Sequence, residues 1–316
     1  MLLSPTEFTI LKTLVYFNLF NYPLTLFELW QNLPTTNTHL STPFLLEEEI
    51  KKNKLLNQLL DFEDGFYFLK GKKNIITHRQ INYREALKKF RRAKWIANFL
   101  KYIPFIRSII ICNSLAYANP SESSDIDFLI LVEPGSIWRT RALSILLTEI
   151  FASRPKKNKT KDAICLSFFS IYSQNFESLK LQPEDSYFDW WMTKLLPIYD
   201  REKTFEKFEE SNRWINKLRP NALLALISKR FRIKEIRPGL RKILEILLSF
   251  PSPRLGERIS QTIQMWHLPK ELKEIANRDT RVVLNNNILK FHLNDRRDYY
   301  QKQLESQLKN IIASCG

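Results

Sequence analysis

Apolar and polar positions alternate along this chain with two periods, and each period predicts a different element. From Ser4 to Phe20, Phe8, Leu11, Leu14, Val15 and Leu19 recur at helical spacing behind a start signal: Ser4 as N-cap, Pro5 in the first turn and Glu7 placed for a capping box. Pro23-Leu24-Thr25 opens a second helix over Leu26 to Leu33, and Phe44 to Leu60 reads as a third, with Leu45, Leu46, Ile50, Leu55 and Leu59 among Glu and Lys. The period then shortens: Phe62-Glu-Asp-Gly-Phe-Tyr-Phe-Leu sets an Asp64-Gly65 turn between strand-like flanks. Three helices and a hairpin predict a winged helix-turn-helix over residues 1–78.

A long helix follows from Tyr83 to Tyr102, with Ala86, Phe90, Ala93, Ala97 and Leu100 on one stripe and Arg84, Lys88, Arg91, Arg92 and Lys94 mostly off it. Next comes a β-branched strand, Ser108 to Cys112, then a polar loop from Asn113 to Ser124, then Asp125-Ile126-Asp127 running into Phe-Leu-Ile-Leu-Val at residue 132. Side chains alternate across a strand, so Asp125 and Asp127 share a face. Paired carboxylates at the mouth of a buried strand are costly to desolvate unless a cation or a hydrogen-bonding shell compensates them, and a divalent metal would do so. Ser136 is placed to cap a helix to Phe151, whose first turns hold Arg139 and Arg141. Cations there oppose the helix dipole, which points to a negative group nearby. Arg154 to Lys161 reads as a basic loop and Ala163 to Tyr172 as a third strand.

From Pro183 onward the spacing is helical: around Tyr187-Phe-Asp-Trp-Trp-Met, then Phe205 to Leu218, Leu240 to Phe250, Leu255 to Trp266, and Asp295 to Ile312. The expected class is α+β: a winged helix-turn-helix, a central core with a small mixed sheet over 79–180, and a mostly helical region over 181–316.

Composition adds a sign. Lysine and arginine total 49 against 33 acids, a net charge of +16, which suits polyanions such as nucleic acid, nucleotide phosphates or an anionic membrane surface. The densest basic, aromatic-interleaved stretch is Lys229 to Lys242, readable as a phosphate or RNA contact or as a solvated loop between helices. The third N-terminal helix holds Glu47-Glu48-Glu49, which would repel phosphate, so a structural or docking role is expected there ahead of DNA reading. Cys112, Cys165 and Cys315 form neither a disulfide framework nor a metal spacing, and a reducing cytoplasm fits them. No apolar run approaches a membrane span, so membrane insertion is not expected. His39, His78, His267 and His292 are dispersed, without zinc or triad spacing, and hydrolase chemistry finds no support; His292 reads as a structural polar residue.

The order of apolar strand, small polar pair, loop of ten residues, Asp-x-Asp and apolar strand resembles the signature of the polymerase-beta-like nucleotidyltransferase superfamily, over roughly residues 84–172. The segments Tyr16 to Thr25, Ser-Asp-Ile-Asp, and Lys-Phe-His-Leu-Asn-Asp-Arg-Arg are similar to those of bacterial nucleotidyltransferase-domain proteins of no known substrate. The resemblance implies that Asp125 and Asp127 are catalytic metal ligands for two Mg²⁺ ions bridging a nucleoside triphosphate, ATP included. A hydroxyl acceptor, on a small molecule, a nucleic acid or a protein, would then attack the alpha-phosphorus. It puts Asn113 and Ser114 at the nucleotide-contacting Gly-Ser pair, with Ser124 leading into the aspartates and Arg139 or Arg141 as phosphate clamps. The sequence departs from the pattern twice: Asn113 stands where glycine is usual, and the third strand carries no acid, Asp162 and Glu177 lying outside it. The alternative reading is a degenerate core that binds nucleic acid or a protein partner together with its winged helix.

Overall fold

The computed structural model describes residues 3–34, 40–151, 160–222, 228–249 and 252–314. His39, Cys315 and most of the basic 154–161 loop lie outside the described residues.

The N-terminal start signals are realised as hydrogen bonds. In α1 (Pro5–Asn18) the Ser4 hydroxyl accepts from the Glu7 N–H while the Glu7 carboxylate accepts from the Ser4 N–H. Thr25 and Glu28 repeat the arrangement where β1 (Leu24–Thr25) passes into α2 (Leu26–Gln31). The single helix expected over Phe44 to Leu60 is instead two, α3 (Pro43–Lys52) and α4 (Lys54–Leu59). Asn53 breaks it by adopting an extended backbone and capping α4, its side-chain oxygen accepting from the Leu56 N–H at 3.0 Å. The hairpin forms as β2 (Leu60–Glu63) and β3 (Phe66–Leu69), with Asp64 and Gly65 both at positive φ, and β3 also pairs β1.

The 27-residue α5 (Asn74–Leu100) starts earlier than expected and runs straight through the boundary placed at residue 78. Its buried stripe contains Ala86, Phe90, Ala93, Ala97 and Leu100, as the spacing predicts. Beyond it lie β4 (Ile106–Ile111), the single-turn α6 (Asn113–Ala116), β5 (Ile126–Val132), α7 (Ile137–Ile150) and β6 (Ile164–Ile171). Then follow α8 (Ser186–Met192), β7 (Leu196–Asp200), α9 (Thr204–Ser211), α10 (Trp214–Leu218), α11 (Pro238–Ser249), α12 (Pro253–Trp266) and α13 (Lys270–Ile275). The chain closes with β8 (Val282–Leu284), β9 (Ile288–Phe291) and α14 (Arg297–Ser314).

This is a mixed α/β architecture on a six-stranded sheet of order β7-β4-β5-β6-β9-β8, antiparallel except for the β5/β6 pair. Three of the six strands come from beyond residue 181, so the mostly helical region expected there is in part the same sheet. Their signal was weak because β7, β8 and β9 are five, three and four residues long, with Pro197 and Lys290 inside them; pairing with longer strands makes them strands. One face of the sheet, with Ile109, Phe128, Ile130 and Val132, packs under α5 and α7. The other, with Ile110, Leu129, Leu131 and Phe168, packs against Phe188 and Trp191 of α8 and Phe205 and Phe208 of α9.

Two further expectations change. The Ser136 hydroxyl does not cap α7 but donates to the Glu133 carbonyl. The cap is Glu257 of α12, whose carboxylate accepts from the N–H groups of Trp138 and Arg139 at 2.8 and 3.0 Å. The Glu257 charge also acts favourably on the Arg139 guanidinium, whereas Arg141 meets the neutral Gln264. In the basic Lys229 to Lys242 stretch, Phe231 and Ile233 are core residues: Phe231 stacks on Phe90 at 4.9 Å and the Ile233 N–H donates to Ile198 of β7. Lys229, Arg230, Arg232 and Lys234 face solvent between them. Among the described residues no helix is long and apolar enough to cross a membrane.

Candidate functional site

Asp127 stands on β5 with the parity of Leu129 and Leu131, and Asp125 precedes the strand at the same parity, so both point to the sheet face that α8 covers. The parallel register sets Cys165 of β6 opposite Asp127. A bulge follows at once, two steps along β5 matching three along β6 before Leu129 meets Phe168. Such an extra residue re-aims side chains, and here it lies at Leu166-Ser167, beside the cluster. Carboxylate oxygens of Asp125 and Asp127 and the Cys165 sulfur all lie within 4.8 Å of one another.

Asn113 sits just past the end of β4 at φ 55°, the left-handed conformation that glycine adopts freely and asparagine tolerates best among the others. Its Oδ1 accepts from the Trp191 indole N–H at 2.8 Å, and its side chain lies close enough to Asp127 to favour the charged carboxylate. The residue thus ties the end of β4 to α8 beside the aspartates. Its side chain takes the space that glycine would leave open on that side of Asp127.

Burial raises both aspartates. Asp127 is pushed up to about 7 by desolvation and then by the charge of Asp125, against the hydrogen bonds from Asn113 and Cys165. Asp125 is raised by desolvation and eased by Lys89. No lysine or arginine makes an ion pair with either among the described residues. Lys89, almost wholly buried on α5, acts at one remove: its ammonium donates to the carbonyls of Glu122 and Ser124 and to Asp162. It thereby pins the loop that delivers Asp125. Lys89→Met is expected to cost about 1–2 kcal/mol in a urea melt, because the buried ammonium's bonds to two carbonyls and to the partly exposed Asp162 carboxylate are lost.

The aspartates open into a cavity of about 550 Å³ whose far wall is the segment from Lys290 to Arg297. Ser167 Oγ lies 2.8 Å from His292 Nε2 and 3.2 Å from the Cys165 sulfur. Burial, reinforced by the Lys290 charge, lowers His292 to about 4, so its imidazole is neutral at neutral pH. The structural role expected for His292 becomes a cavity-lining one. Asp295 lines the same cavity but is taken: although burial opposes it, hydrogen bonds from Arg297 hold Asp295 down at about 2, with Lys290 at 3.3 Å beside it. Asp162 is held by Lys89, and Glu177 is exposed in a short turn away from β6. Among the described residues the third member of the cluster is therefore a thiol. Arg296 lines the cavity, is exposed, and makes no ion pair among the described residues.

The residues singled out from the sequence are partly brought together. Asn113, Asp125 and Asp127 line this cavity, while Ser114 and Ser124 line a neighbouring one that also touches Asn113. Neither Arg139 nor Arg141, expected as phosphate clamps, lines this cavity; Arg141 lines an adjoining one that shares Cys165, Ser167 and Phe291 with it. The Arg139 guanidinium lies 3.9 Å from the Phe105 ring, and Arg141 lies 4.1 Å from the Phe291 ring and hydrogen-bonds Gln264 of α12. Cys165, Arg296, Tyr187 and Tyr300 were missed. The polar density of Lys290 to Arg297 was the only trace of them in the sequence, since strand register is invisible there. Comparison of the chain with protein-family models, curated proteins and solved structures finds no match in any of the three.

Proposed function

We propose that this chain is a divalent-metal-dependent nucleotidyltransferase that moves a nucleoside monophosphate from a nucleoside triphosphate to a hydroxyl acceptor, releasing pyrophosphate. On this reading residues 1–78 are a winged helix-turn-helix and the six-stranded sheet is a polymerase-beta-like core. The observation that carries it is the pair Asp125 and Asp127, aimed into one cavity beside Asn113 in a left-handed conformation and without a cationic side chain to pair with.

The donor set is compatible with one Mg²⁺ ion, not two. Two adjacent carboxylates and phosphate oxygens make an oxygen shell of the kind Mg²⁺ accepts. A second ion toward the acceptor would look for a third oxygen, and Cys165 offers sulfur, a poor partner for so hard a cation. When bound, one such ion would neutralise triphosphate charge. The chain itself supplies the rest: Asn113, held by the Trp191 indole, lies beside Asp127, and Arg296 meets phosphate charge at the rim.

Incubation with alpha-phosphate-labelled nucleoside triphosphate and Mg²⁺ tests this. Labelled product should form and be lost in Asp125→Asn and Asp127→Asn; absence of triphosphate binding together with indifference to both substitutions would end the proposal. Cys165→Asp should tighten Mg²⁺ binding by roughly tenfold, since an added ligand charge is what tunes such sites; titration calorimetry reads it directly.

Cys165 also favours a second reading, a degenerate site in a binding module. That version predicts nucleic-acid binding with a steep salt dependence, weakened by charge removal at the exposed Lys229, Arg230 and Arg232 and indifferent to Asp125→Asn.

A further inference from the structure

The second cavity, of about 490 Å³, meets the first at Asn113, Tyr187 and Tyr300. The two differ in chemistry. The first is lined by Asp125, Asp127, Lys290, Asp295 and Arg296, whereas among the described residues no charged side chain lines the second. Its walls are aromatic: Tyr16 near the end of α1, Tyr22 just after it, Tyr117 after α6, and Tyr187 and Tyr300 from α8 and α14. These rings are held in place by one another, Tyr187 stacking on Tyr300 at 5.5 Å and Tyr16 on Trp190 at 3.8 Å. At one side a pair of amides supplies directed hydrogen bonding. The Asn82 Nδ2 donates to Asn119 Oδ1 at 2.8 Å and Asn119 Nδ2 donates to the Phe20 carbonyl, which leaves the Asn82 side-chain oxygen with no protein donor among the described residues. Ser114 and Ser124 line this cavity on the side of the aspartates.

A nucleotide is divided in the same way, into a flat uncharged heteroaromatic ring and a polyanion. Aromatic walls offer stacking to any base, and an amide edge adds discrimination between bases. Resting on the nucleotidyltransferase reading, we infer that the second cavity holds the nucleobase of the donor nucleotide, with its phosphates passing Ser114 toward Asp125 and Asp127. The N-terminal helical unit is then a wall of the substrate site, through Tyr16 and Tyr22, and α5 contributes the base-reading residue Asn82. An aromatic acceptor would use the same chemistry, and the test separates the two.

The test is titration calorimetry on the full chain with Mg²⁺ and each of ATP, GTP, CTP and UTP, beside inorganic tripolyphosphate. The preferred triphosphate should bind about tenfold or more tighter than tripolyphosphate. Asn82→Ala, at a half-buried polar position, should weaken that triphosphate by about fivefold and leave tripolyphosphate unchanged. Equal affinity of all five ligands, or an equal loss for both kinds in Asn82→Ala, overturns the inference; with binding still abolished by Asp127→Asn, that result would leave the transferase reading standing and assign the cavity to an acceptor. Binding of none of them would remove both.

Discussion

On the proposed transferase reading, Asp127→Asn is expected to lower nucleotide transfer on the order of a thousandfold while leaving the protein at least as stable as the parent. The rate loss would follow from removing one of the two carboxylates proposed to hold the cation, a change of several kcal/mol. The stability gain follows from burial. In the folded chain Asp127 titrates at about 7 against an ordinary 3.8, chiefly because desolvation disfavours the charged form. Folding therefore favours the protonated carboxyl. That contribution is complete below the unfolded value near 4 and is lost as the pH rises through about 7. Asparagine never ionises, so the unfolding free energy of Asp127→Asn relative to the parent should climb from pH 4 to pH 8, the gain reaching about 2 kcal/mol or more in the absence of metal. A variant less stable than the parent at pH 8 would contradict a desolvated carboxylate, whatever its activity.

Arg297→Met is expected to destabilise the fold by about 3–5 kcal/mol, the cost of leaving buried charges without their partner. Arg297, at the start of α14, is 5% exposed and its guanidinium is fully used. It donates to both Asp295 oxygens, to Asp185 at 2.8 Å, to the Leu179 carbonyl and to Thr280. Asp185 in turn caps α8, the helix carrying Trp191 onto Asn113. Methionine would fill much of the volume but leave Asp185, 1% exposed, without its ion-pair partner and Asp295 with Lys290 alone. A lowered urea midpoint with an unchanged slope would report it. Acid should narrow the gap: Asp295, depressed to about 2, contributes stability above its unfolded value near 4 and loses it as the pH falls through about 2. Because this network lies beneath the cavity wall, Arg297→Met should also weaken triphosphate binding at temperatures where it remains folded.

How far the sequence reaches can be judged residue by residue. Ser4, Pro5 and Glu7 announce α1, and Asp64-Gly65 announces the hairpin, because caps and tight turns are decided within a few residues. The Ala86 to Leu100 stripe and the alternation that puts Asp125 and Asp127 on one face are likewise set by local periodicity. Asn53 shows the limit of periodicity: apolar spacing runs on across it, while its side chain prefers to cap the next turn.

What only the tertiary structure decided depends on partners distant in the chain. The parallel register with its bulge makes Cys165 the third member of the aspartate cluster. Glu257, more than a hundred residues away, takes the place of Ser136 as cap and sets a negative charge beside Arg139. Strands as short as β8 and β9 exist because a neighbouring strand completes their hydrogen bonds, which no local pattern encodes. The sequence by itself determined where carboxylates, caps and turns must stand, since those follow from the chemistry of adjacent residues. The tertiary structure decided which distant side chains meet them, since register, burial and ion pairing are properties of the packed chain.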